Sequence, residues 1–128
     1  VDPVRARARY EALHEAINTG LVASCHDCSD GGLGAALAES AFAGGFGMDV
    51  DLAPLGIGDS IVALFSESQS RFVATVNPAH TAAFETLMNA TGCYRIGEVT
   101  EAQRLVIKGA VDASLAELKE AWQAPLRY

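Results

Sequence analysis

At 128 residues, half of them apolar, the chain is sized for one domain that buries roughly two-thirds of the surface its unfolded form exposes. Its apolar residues fall in short runs rather than the ~18 or more that span a bilayer, so no membrane partner is expected. The net charge of −7 would repel a phosphate backbone, which excludes nucleic acid, and three cysteines are too few and too odd for a disulfide framework, which points to a reducing, cytoplasmic setting.

The opening Val1-Asp2-Pro3 has neither an initiator Met nor a leader, and it reads as part of a longer polypeptide. Asp2 and Pro3 form a helix start, an acceptor at the N-cap followed by a residue that needs no N–H, and the stretch to Thr19 is rich in helix formers until Gly20. Arg5, Arg7 and Arg9 could meet a phosphate, but Arg7 and Glu11 are spaced as an ion pair on a solvated face. Leu21 to Cys25 is expected to be a short buried strand entering the turn from Cys25 to Gly32. Leu33 to Ala43 is a helix whose polar side chains are Glu39 and Ser40, so it must be covered on more than one side.

Phe46 to Leu52 alternates as a strand with one wet face, whereas Ile61 to Phe65 cannot be settled by periodicity. Arg71 to Val76 is a strand, and Asn77-Pro78 starts a helix to about Ala90, ended by Gly92. Arg95 to Val99 and Arg104 to Lys108 are expected to be strands joined by the turn at residues 100–103, before a last helix from about Ser114 to Gln123. This interleaving predicts an α/β (α+β) domain: a mixed sheet with helices mainly on one face.

Two polar clusters could carry chemistry. His26, Asp27, Ser29 and Asp30 precede Gly31-Gly32 at a strand-to-helix junction, where free N–H groups can hold a phosphate and carboxylates a Mg²⁺. The same residues could equally form a tight connection capped by Ser29 or Asp30. The second cluster, Ser66 to Arg71, offers Glu67, Ser68, Gln69 and Arg71 as a hydrogen-bonding rim for a small polar ligand, or as turn and cap formers. Cys25 and Cys28 have thiolate-metal spacing, but zinc needs four ligands, and Cys93, His14 and His80 are single and remote. Buried filling is the expected role for these cysteines. A Cys-His-Asp triad is excluded because consecutive residues of an extended turn point apart.

The run from Cys25 to Leu33, with Ala36-Leu37-Ala38-Glu39, Asp49-Val50-Asp51-Leu52 and Leu64 to Phe72, resembles the small-type formylglycinamidine ribonucleotide synthases. These are ATP-dependent amidoligases of purine biosynthesis in the aminoimidazole ribonucleotide synthetase superfamily. Gly97-Glu98-Val99 and the tail from Leu118 to Leu126 extend the resemblance over nearly the whole chain. It implies that residues 1–128 are the second of two C-terminal domains in a longer protein, and that they line a pseudo-equivalent site holding a structural nucleotide. In the family's first copy a matching aspartate contacts Mg²⁺ and a Glu-Ser-Gln run contacts substrate. By position these are Asp27 and Glu67-Ser68-Gln69, whereas Cys25 and Cys28 replace hydrophobic residues.

The implied reaction uses ATP to activate an amide oxygen as an iminophosphate, which ammonia from glutamine then converts to the amidine. Its implied partners are the remaining domains, a glutaminase subunit and a small accessory subunit, with homodimerisation of the fragment a further option. ATP or ADP and Mg²⁺ would serve the full-length enzyme, and the isolated domain would be inactive. The alternative is a nucleotide- or metal-binding structural module of another superfamily member. The Glu67-Ser68-Gln69 run argues against the selenophosphate- and thiamine-phosphate-type branches.

Overall fold

The computed structural model describes residues 2–126. Helix α1 (Pro3–Asn18) begins where expected: Asp2 Oδ1 accepts the Val4 and Arg5 N–H groups at 3.0 and 3.3 Å, and Pro3 occupies the first turn. Its buried face of Ala6, Leu13 and Ala16 packs toward helix α4 (Thr81–Met88), where Leu13 and Ala16 meet Phe84 and Met88 in a small second core. The Arg7–Glu11 pair expected on the solvated face is present at 2.8 Å.

Strand β1 runs from Ser24 to Asp27, three residues beyond the expected start. Leu21 and Val22 pack against the second core, and the Leu21 N–H closes the end of α1 on Ala16 O. That helix ending uses the backbone a strand would have needed. Strand β3 (Phe72–Thr75) pairs antiparallel with β1, Asp27 opposite Phe72 and Ser24 opposite Thr75.

Helix α2 (Gly32–Gly44) leaves β1 through Gly31 and Gly32, both at positive φ. A Cβ on Gly32 would lie 2.7 Å from Leu64 O and 2.8 Å from Ser66 O. Glycine is therefore required for the start of α2 to cross the end of α3 (Ser60–Phe65) at backbone contact. The α3 segment, ambiguous in sequence, is helical because Asp59 Oδ1 accepts the Ile61 and Val62 N–H groups, and only Ala63 and Leu64 point inward.

A four-stranded sheet forms the other half. Its order is β4 (Gly97–Thr100), β2 (Gly47–Val50), β5 (Arg104–Ile107), β6 (Val111–Ser114), with β2 and β5 parallel and the other pairs antiparallel. The short turn at residues 100–103 predicts β4 and β5 as neighbours; instead β2 lies between them. Two glycines admit it, since a Cβ on Gly47 would sit 2.0 Å from Ala102 O and one on Gly97 2.1 Å from Asp49 O. Strand β6 was not expected, because Val111 to Ser114 holds too little alternation to register and Ser114 also signals a helix start. That signal is also real: Ser114 and Glu117 form a reciprocal capping box opening α5 (Leu115–Gln123).

The main core lies on one face of this sheet. Met48, Val50, Leu105 and Ile107 alternate inward against Leu33, Ala36, Leu37 and Ala41 of α2 and Leu115 of α5. Helices α3 and α5 both contact α2, giving the apolar helix the cover its composition required. Asp49 and Glu98 face outward on the opposite side, so the domain is α/β with α2 and α5 on one face of a mixed sheet, and α1 and α4 form the second core beside the small β1–β3 ribbon.

Candidate functional site

The β1–α2 corner and the segment after α3 border one hollow of about 350 Å³. The crossing at Gly32 places them side by side, and the backbone N–H of Gly31 donates to Glu67 Oε1 at 2.9 Å. Of the residues singled out in sequence, Asp27, Ser29, Asp30, Glu67, Gln69 and Arg71 line the hollow. Gly31 joins its two sides and Gly32 is buried beneath them.

The Ser29 hydroxyl donates to Asp27 Oδ2, and this bond, followed by the backbone bond and nearby His26, holds the Asp27 carboxyl below its usual range. Arg71 folds back on its own loop, donating from Nη2 to Ser66 O and from Nε to Ser68 O at 3.3 Å. Its guanidinium shapes the rim more than it offers free charge. The Arg71 carbonyl accepts the Cys28 N–H at 2.9 Å, which joins the two sides again.

His26 and Ser68 are not among the lining residues. His26 turns toward α2, with Nδ1 2.7 Å from Asp27 O and Nε2 2.7 Å from Glu39 Oε2, while Glu39 Oε1 accepts Trp122 Nε1–H at 2.8 Å. His26 thus ties the corner to α5. Cys28 fills the main core as expected, and burial pushes its thiol up, whereas Cys25, also expected to be buried, is exposed on the two-stranded β1–β3 ribbon. Among the described residues no three His, Cys, Asp or Glu side chains gather as a metal cage.

Ser70 of the second cluster lines the hollow as well, and sequence reasoning missed Tyr10 and Phe72, which also border it. Tyr10 arrives from α1, and its hydroxyl lies 2.5 Å from Ser70 Oγ across 60 residues of chain. No local pattern could have announced that approach. A larger depression of about 580 Å³ lies on the open face of the sheet, where Lys108 pairs with Asp51 at 3.0 Å and Arg95 with Glu98 at 2.7 Å beside Asp49. None of the candidate side chains borders it.

The comparisons agree with this architecture. Residues 1–110 match the family model described as the C-terminal domain of AIR synthase related proteins. The chain belongs to that family. This AIR-synthase-related domain is also 38% identical, over 116 residues, to the phosphoribosylformylglycinamidine synthase subunit PurL of Limosilactobacillus reuteri, covering 88% of the chain and 15% of that protein. Among solved structures it superimposes on Thermotoga maritima PurL complexed with FGAR (TM-score 0.78, 23% identity, 92% of this chain and 21% of that one). It superimposes similarly on the same protein complexed with ATP (TM-score 0.75, 23% identity, 88% and 21%). At that identity the likeness is one of fold. The chain spans about 15% of the curated relative's length and about a fifth of the Thermotoga chain.

Proposed function

We propose that residues 1–128 form a C-terminal domain, the second of two, in an ATP-dependent amidoligase of purine biosynthesis. In this reading the whole protein makes formylglycinamidine ribonucleotide from formylglycinamide ribonucleotide, glutamine and ATP. The domain completes the fold, lines a nucleotide or substrate site, and does not turn over substrate alone. The observation that carries the reading is the Gly31–Glu67 hydrogen bond, which brings the family-like corner and the Glu-Ser-Gln segment to one hollow. The 38% identity to a PurL subunit over most of the chain supports it. A glutaminase subunit, a small accessory subunit and a cytoplasmic setting follow from the same reading.

The donor set fits a Mg²⁺ bound through one carboxylate and completed by phosphate and water, the usual manner for that ion. Asp27 is the residue that would hold it, because its carboxylate is exposed and kept ionised by Ser29. The ion would supply neutralising charge for a phosphate beside Asp30 and Glu67. Gln69 offers both a donor and an acceptor for a polar ligand. Glu67 already takes the Gly31 N–H, so a phosphate meets a helix start partly satisfied by protein.

The test replaces the matching segment of a PurL-type synthase with this chain. The expected result is ATP- and glutamine-dependent amidine formation by the chimaera and none by residues 1–128 alone. A folded chimaera without that activity, or turnover by the chain alone, contradicts the reading.

A further inference from the structure

One wall of the hollow is aromatic. Tyr10 of α1 and Phe72 of β3 meet edge to face, with ring centroids 5.8 Å apart and planes at 83°, and both border the hollow. They remain 46% and 36% exposed, whereas Leu13 and Ala16 of α1 are buried in the second core. Tyr10 is therefore not packing for the interior, and its ring is presented to the hollow.

The wall is braced from behind. The Tyr10 hydroxyl is held at Ser70 Oγ, and the Arg9 guanidinium donates to Ser70 O at 2.6 Å and to Thr91 O at 2.8 and 3.1 Å. Ser70 sits at φ 67°, a left-handed conformation that a serine keeps only when its surroundings impose it. Two neighbouring side chains of α1 thus fix the loop carrying Gln69 and Arg71. The same hollow is lined by the acceptor carboxylates of Asp30 and Glu67 and the amide of Gln69.

We propose that the Tyr10–Phe72 wall is a subsite for a planar heteroaromatic ring bearing an amino group, the base of a purine nucleoside or nucleotide. An aromatic face contributes stacking to any base, and carboxylates, being acceptor-only, select a ring edge that donates. This subsite rests on the nucleotide reading of the hollow and adds to it which end of the ligand this chain recognises.

The test uses the 128-residue chain with two separate probes, adenosine and Mg²⁺-pyrophosphate, followed by NMR of the aromatic side chains. Adenosine shifts the Tyr10 and Phe72 ring protons upfield and pyrophosphate does not. Tyr10→Leu weakens adenosine about tenfold, as expected for one lost stacking partner, while Tyr10→Phe keeps the ring and stays within about twofold of the unaltered chain. Should Tyr10→Leu fail to fold, the ring shifts of the unaltered chain decide alone. Adenosine that moves neither ring, or that binds Tyr10→Leu as well as the unaltered chain, overturns the subsite. Pyrophosphate binding together with no ring shifts from adenosine would leave the hollow's phosphate reading standing and remove only the base subsite. Ring shifts from adenosine with no pyrophosphate binding would keep the subsite and remove the phosphate half of that reading.

Discussion

Glu67 reaches across 36 residues of chain to accept the Gly31 N–H at 2.9 Å, so an acidic side chain from the rim caps the helix that starts at the opposite corner. A charged acceptor on an otherwise orphan helix donor is stabilising even at the surface.

Removing that acceptor loosens the corner without unfolding the domain. Glu67→Ala is expected to cost about 1 kcal/mol by urea denaturation and to speed hydrogen exchange at the Gly31 amide. Glu67→Gln, which keeps an acceptor oxygen, falls between. Unchanged exchange at Gly31 in the alanine variant would contradict the bond.

The Asp27 carboxyl should lose part of its depression when Ser29 is removed, since the serine hydroxyl is the largest cause. A folded-state pKa below the unfolded value contributes stability that is present above the unfolded carboxyl value near ~3.9 and lost as pH falls through the lowered one. Ser29→Ala therefore raises the Asp27 midpoint in a carbon-detected NMR titration and removes stability above that window. A midpoint that does not move assigns the depression elsewhere.

Glycine positions separate close contact from backbone strain. Gly97→Ala places a Cβ against the Asp49 carbonyl and should break the β2–β4 pairing, whereas Gly20→Ala meets open space and is strained only by its φ of 74°. The second should cost about 1 kcal/mol and the first clearly more, measured as shifts of the denaturation midpoint.

How much of this was legible follows from where the information sits. Helices α1, α2 and α5 could be read because their caps and apolar composition are local, and the inward Met48 and Val50 were visible as period-two alternation. Strand order was not legible: the insertion of β2 between β4 and β5 depends on Gly47 and Gly97 meeting carbonyls far along the chain. The site divided in the same way. Asp27, Asp30 and the Glu67–Arg71 segment stood out as dense polar runs, while Tyr10 looked like one more helix residue and His26 gave no sign that it would turn to Glu39.

The Glu39 carboxylate joins the corner to α5 by holding both His26 and Trp122, and Trp122 is the chain's single tryptophan. Glu39→Ala should release α5 before the sheet melts, so the fluorescence transition precedes the far-ultraviolet circular dichroism transition in urea. Coincident transitions would mean that α5 is held by its apolar contacts alone.

The glycine corner and the Glu67–Arg71 rim border one hollow, proposed above to take a metal-bound nucleotide. The most direct measurement substitutes Mn²⁺ for Mg²⁺ and maps amide broadening in the presence of ADP. Residues 27–31 and 67–71 are expected to broaden together at low Mn²⁺, and Asp27→Asn to abolish the effect. Broadening of one segment without the other, or an effect indifferent to Asp27, would contradict that proposal.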